Sequence, residues 1–141
     1  RIEFVREVNG VKYYNDSIAS SPTRTIAGLK AFPKKVWLIA GGYDKHIPYE
    51  PMVPYVIDKV EKLLLCGDTA EKIKTAVLSD KNYNGCPEII DVKDIAQAVQ
   101  YAHNNATDGD IVTLSPASAS FDCFPNFVAR GNYFKDLVNE L

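Results

Sequence analysis

Cysteine is sparse in this chain. Cys66, Cys86 and Cys123 are odd in number and never spaced as C-x-x-C, which excludes a disulfide framework and a cysteine-built zinc site. A reducing compartment, the cytoplasm, is the expected location. Histidine is scarcer still: neither His46 nor His103 has a partner at metal-ligand or triad spacing, and His103, late in a helix, reads as a partner for the C-terminal dipole. The longest clean apolar run, Val36 to Ala40, is too short to span a bilayer, and no signal-peptide pattern opens the chain. Excess charge is also lacking. Sixteen Lys and Arg against 18 Asp and Glu leave a net charge of −2, so nothing electrostatic calls for nucleic acid or an anionic membrane. Missing too are G-x-x-x-x-G-K-[ST] and G-x-G-x-x-G, the glycine devices that cradle nucleotide phosphates, and the G-x-S-x-G of a hydrolase nucleophile.

What remains is an ordinary globular composition, 46% hydrophobic and 24% charged over 141 residues. That length suits a single domain spanning 1–141, able to remove roughly two-thirds of its unfolded surface from water without staples. The chain opens on Arg1 rather than methionine and reads as a piece of something longer.

Strand and helix patterns alternate. Ile2 to Val8, the turn Asn9-Gly10 and Val11 to Tyr14 predict an opening hairpin. Ser21-Pro22 is a cap followed by proline at the first helical position, with Ile26, Leu29 and Phe32 on one face. Val36 to Ala40, Lys62 to Cys66, Glu88 to Asp91 and Asp110 to Leu114 read as strands. Between them fall a short helix at Pro51 to Ile57, a helix opened by the capping-box spacing Asp68-Thr69-Ala70-Glu71, and one opened by Asp94. Phe127, Phe134, Leu137, Val138 and Leu141 line a terminal helix. The predicted fold is α/β and Rossmann-like, a mostly parallel sheet with helices on both faces, opened by a β-hairpin.

In such sheets ligands gather beyond the carboxyl ends of the strands. Three loops qualify: Asn15 to Ser21, Gly41 to Tyr49 and Ser115 to Asn126. In the first, Asp16 is either a carboxylate for a ribose diol or part of an Asx turn. In the second, Lys45 is either a point charge for an anion or a solvated turn lysine. The third packs small hydroxyl residues between a strand and a helix, an arrangement that suits a carboxylate or a phosphate. The three cysteines read as small apolar packing groups.

Taken together, Asn15-Asp16-Ser17, Leu38-Ile39-Ala40-Gly41-Gly42-Tyr43-Asp44-Lys45 and the run Ser115 to Phe134 resemble the C-terminal domain of the Mur ligases of peptidoglycan synthesis, in the branch that adds D-glutamate. The resemblance runs from Arg1 to Leu141 in the same order. It implies the third, closing domain of a three-domain, ATP-dependent ligase that joins D-glutamate to UDP-N-acetylmuramoyl-L-alanine through an acyl phosphate. An N-terminal domain would grip the UDP-sugar, and a central one would carry the P-loop and most contacts to Mg and the ATP phosphates. By itself this domain would be inactive and would supply no catalytic acid or base.

Position by position, the resemblance implies that Asp16 holds the ATP ribose and that Arg1 reaches the nucleotide phosphates. Lys45 and Ser20 would grip one D-glutamate carboxylate. Ser120, the backbone N–H of Phe121 and the backbone near Phe127 would cradle the other. Where the family commonly has Lys-Ala-Thr-Asn after Asn-Asp-Ser, this chain has Ile18-Ala19-Ser20-Ser21, so one cationic contact is missing. Ser118 and Cys123 also replace commoner residues and carry no implied role. The alternatives are the equivalent domain of folylpolyglutamate synthase or of a diamino-acid-adding ligase, and a free-standing α/β binding module.

Overall fold

A computed structural model describes residues 2–141; Arg1, expected to reach nucleotide phosphates, lies outside them. Six strands form one sheet: β1 (Glu3–Val8), β2 (Val11–Asn15), β3 (Val36–Ala40), β4 (Val60–Leu65), β5 (Glu88–Asp91) and β6 (Ile111–Leu114). Their order across the sheet is β1-β2-β6-β3-β4-β5, with only β1 antiparallel to its neighbour. Five helices connect them: α1 (Pro22–Lys30), α2 (Val53–Lys59), α3 (Ala70–Leu78), α4 (Ile95–Asn105) and α5 (Phe127–Asn139). A 3-10 turn, Glu50–Met52, leads into α2.

The period of two in β3 divides its side chains between two cores. Leu38 packs with Leu63, Leu65 and Ile73 on the face covered by α1, α2 and α3. Trp37 and Ile39 turn to the other face, against Val99, Ala102, Phe134 and Val138 of α4 and α5. All five residues of β3 are buried, which is why its sequence is an unbroken apolar run rather than an alternating one.

Two caps differ from expectation. At α3 the N-cap is Thr69 rather than Asp68, and no side chain caps the helix, so the predicted capping box does not form. Ser21 caps α1 in position only, with proline following. At α4 the expected device is present: Asp94 Oδ1 accepts from Gln97 N at 2.8 Å. The terminal helix buries Arg130, Gly131, Phe134 and Val138, whereas Phe127, expected on its inner face, is 39% exposed.

Parallel pairing sets the functional edge. Asn15 is in register with Leu114, and Leu114 with Ile39. β2, β6 and β3 therefore end side by side, and the chain leaves each of them into one of the three suspected loops.

Candidate functional site

Backbone hydrogen bonds join the three loops. Ala117 N donates to Ala19 O at 2.9 Å, Gly41 N to Pro116 O at 2.9 Å, and Tyr43 N to Ala119 O at 2.9 Å. Gly41, with φ of +105°, makes the turn, and a Cβ there would stand 1.9 Å from Cys66 O, so no side chain fits.

The Asn15–Ser17 turn separates the roles of Asn15 and Asp16. The Asx turn exists, but Asn15 makes it, its Oδ1 accepting from Ser17 N at 3.0 Å. Asp16 faces elsewhere: it is 4% exposed, and its Oδ2 accepts from Ser115 Oγ at 2.8 Å. Burial raises the Asp16 pKa, while the Ser115 hydrogen bond and the charge of Arg24 pull it back down. Helix α1 passes close by at Gly28, where a Cβ would sit 2.5 Å from Asp16 Oδ2.

A hollow of about 430 Å³ opens beside this carboxylate, lined by Ile2, Asp16, Ile18, Thr23, Arg24, Ala27 and Gly28. Apolar walls, a buried acceptor and a guanidinium at the rim fit a nucleoside and its phosphates. Arg24 was not among the sequence candidates. Among the described residues no group of three or more His, Cys, Asp or Glu could hold a metal ion.

The largest departure from the sequence reading is Arg130, which is 2% exposed on the inner face of α5. Its guanidinium bonds to both hydroxyl-rich loops. Nε donates to Ser17 Oγ at 2.9 Å, Nη1 to Ser118 O at 2.8 Å, and Nη2 to Ser17 O at 2.7 Å and Ser20 Oγ at 3.2 Å. Ser17 Oγ in turn donates to Phe127 O at 2.7 Å, which ties the start of α5 to the same knot. Burial pushes the Arg130 pKa down to about 10, so it remains a cation at neutral pH. Its position three residues after Phe127, on what periodicity makes the apolar stripe, was the available signal: a charge on an inner helical face is expensive unless it organises something.

Beneath the third loop lies a chain of buried hydroxyls. Gly42 N donates to Thr69 Oγ1 at 3.0 Å, Thr69 Oγ1 lies 2.8 Å from Ser118 Oγ, and Ser118 Oγ lies 2.7 Å from Tyr49 Oη. Tyr49 Oη spends its one proton on Ala117 O at 3.0 Å. That fixes the direction, with Thr69 donating to Ser118 and Ser118 to Tyr49. Thr69 thus gives up its capping role to hold the Gly41 turn against the Ser115 loop.

The expected anion-binding residues fall as follows. Ser20 and Ser120 lie on loops tied by Arg130 and by the Ala117–Ala19 bond. The Ser20 hydroxyl accepts from Arg130, which leaves its proton free to donate outward. Ser120 is 2% exposed, and its hydroxyl has no hydrogen-bond partner among the described residues. Phe127 opens α5, whose first N–H groups have no intrahelical acceptor; the Asn126 side chain takes only that of Ala129. Phe121 is 64% exposed, next to Ser120. Lys45 lies two residues beyond the Tyr43–Ala119 bridge, exposed and without an ion pair among the described residues. Its neighbour Asp44 is engaged by His46 N and Lys72, which hold its carboxyl below the usual range.

Fold and site together define a class: a Rossmann-like α/β domain whose strand-end loops are braced together beside a hollow lined by Asp16 and Arg24. The chain belongs to the family described as Mur ligase, glutamate ligase domain, which matches residues 1–118. Over its whole length it is 59% identical to a UDP-N-acetylmuramoylalanine--D-glutamate ligase of Clostridium botulinum strain Kyoto, and 58% identical to the enzyme of that name from Clostridium novyi. It spans 31% of the length of these curated relatives. Among solved structures, a domain of a putative UDP-N-acetylmuramate:L-alanyl-gamma-D-glutamyl-medo-diaminopimelate ligase from Haemophilus ducreyi covers 97% of this chain, and 99% of that chain is covered, at TM-score 0.59 and 17% identity. A murein peptide ligase from Psychrobacter arcticus superposes over 99% of this chain and 30% of its own, at TM-score 0.64 and 12% identity. At such identities these two show the fold alone.

Proposed function

We propose that residues 1–141 are the C-terminal, closing domain of a three-domain ligase that adds D-glutamate to UDP-N-acetylmuramoyl-L-alanine in the cytoplasm, at the expense of ATP. The observation that carries this reading is the Arg130 knot, which fixes Ser20 and Ser120 on adjoining loops at the sheet edge, each with a hydroxyl proton uncommitted to the protein. The 58–59% identity over the whole chain supports the choice of branch.

In this reading Ser20 and Lys45 hold one carboxylate of D-glutamate. The Ser120 hydroxyl, the Phe121 N–H and the start of α5 hold the other. Asp16 accepts from the ribose hydroxyls of ATP, and Arg24 stands at the rim toward the phosphates. The terminal phosphoryl group of ATP passes to the L-alanine carboxylate, the glutamate amine attacks the acyl carbon, and phosphate departs. This domain contributes orientation, since holding both carboxylates fixes the amine against the acyl carbon. Mg and most contacts to the phosphates fall to the central domain, and the partners of the closing motion are the N-terminal and central domains of the same polypeptide.

The test is a chimera in which this chain replaces the corresponding C-terminal third of the Clostridium botulinum relative. Phosphate release dependent on D-glutamate, and not on L-glutamate or a diamino acid, is the expected result. Release triggered equally well by a diamino acid would overturn the assignment.

A further inference from the structure

Two large aromatic rings stand exposed on the two loops that carry Lys45 and Ser120, outside the buried core. Tyr43 is 41% exposed and Phe121 64% exposed, and neither belongs to either core cluster. They meet edge to face, with ring centroids 5.9 Å apart and planes at 74°. Their backbones are held in place: Tyr43 N bonds Ala119 O at 2.9 Å, and Phe121 follows the buried Ser120 directly. Each ring therefore lies within two residues of a group assigned to the D-glutamate carboxylates, Lys45 on one loop and Ser120 on the other.

Resting on the ligase reading above, we propose that the Tyr43–Phe121 pair is a water-excluding wall of the closed site, covering the acyl phosphate while the amine attacks. An exposed aromatic pair costs contact with water in the open domain and is rewarded only when something covers it. In the ligase reading, a domain that closes over Ser120 also meets the ring of Phe121, the next residue, and Tyr43 packed on it. The chemistry supplies the need. Attack by the amine nitrogen on the acyl carbon breaks the C–O bond to phosphate and gives amide, phosphate and a proton. Attack by a water oxygen at the same carbon breaks the same bond, but returns the starting carboxylate with phosphate and a proton, so ATP is spent without product. A wall that keeps water out favours the first outcome over the second.

The test uses the chimeric ligase, with Tyr43→Ser, Phe121→Ser, the double variant and Phe121→Leu, and measures phosphate released per amide formed at saturating D-glutamate. The unaltered enzyme should give a ratio of about one, the double variant roughly twofold or more, and Phe121→Leu a ratio near one, because leucine is also apolar. A ratio that stays at one in both serine single variants, or that rises as far with leucine as with serine, overturns the proposal. Should the double variant not fold, the single variants decide. If the unaltered chimera forms no amide with D-glutamate, the ligase reading fails first and takes this inference with it.

Discussion

Replacing Arg130 probes the brace on which the site depends. Arg130→Met keeps most of the side chain's length and apolar stem while removing all four hydrogen bonds to Ser17, Ser20 and Ser118. Ser17 Oγ keeps its bond to Phe127 O, and Ser20 is half-buried and can turn to water. The loss therefore concentrates on two carbonyls, Ser17 O and Ser118 O. An orphaned buried acceptor costs about 1–3 kcal/mol, so the pair amounts to roughly 2–6 kcal/mol. Against this stands relief from burying a guanidinium, which has no carboxylate bonded to it among the described residues. The two effects oppose, and a net loss of about 2–4 kcal/mol is expected. With a urea slope of about 1–3 kcal/mol per molar, the unfolding midpoint of the 141-residue chain should fall by roughly 1–2 M. Arg130→Lys keeps the charge but not the planar fork, and should recover about half the loss. A methionine variant within about 0.5 kcal/mol of the parent would show that the guanidinium bonds contribute nothing net, and the account of the brace would be wrong.

Ser120→Ala in the chimeric ligase removes one charge-assisted hydrogen bond, so the D-glutamate KM should rise roughly tenfold to a hundredfold with the ATP KM little changed; equal losses for both substrates would sink the assignment. Gly28→Ala would normally favour a helix by about 0.5–1 kcal/mol, but its Cβ would stand 2.5 Å from a carboxylate pinned by Ser115, so the chain should be destabilised and its nucleotide affinity weakened. Thermal unfolding and ADP titration read both, and a stabilised variant would refute the pinning. Burial, reinforced by Asp122 and Asp94, pushes the Cys66 thiol up to about 12, so at pH 8 only about one molecule in ten thousand carries the reactive thiolate. Alkylation of the native chain at that pH should mark exposed Cys123 and spare Cys66, with Cys66 labelling rising about tenfold per pH unit or appearing at once on denaturation; rapid native labelling of Cys66 would contradict its burial.

The α/β alternation was legible because each element carries its own period. The apolar run of β3, the Asn9-Gly10 turn and the Asp94 cap all stand where local pattern placed them. The capping box at Asp68 was misread for an equally physical reason. Asp68-Thr69-Ala70-Glu71 satisfies the local capping rule, but the observed N-cap position is Thr69, and a neighbouring loop offers its hydroxyl Gly42 N and the Ser118 hydroxyl, partners absent from any local window.

By itself the sequence determined the elements, the parallel sheet they form and the three loops left at its edge, since hydrophobic period and turn chemistry act within a few residues. Tertiary structure alone decided what those loops share. Arg130 and Ser17 are 113 positions apart, and Ser115 and Asp16 are 99 apart. Only the packing of α5 and β6 against β2 converts a charge on a helix and a hydroxyl after a strand into one braced site.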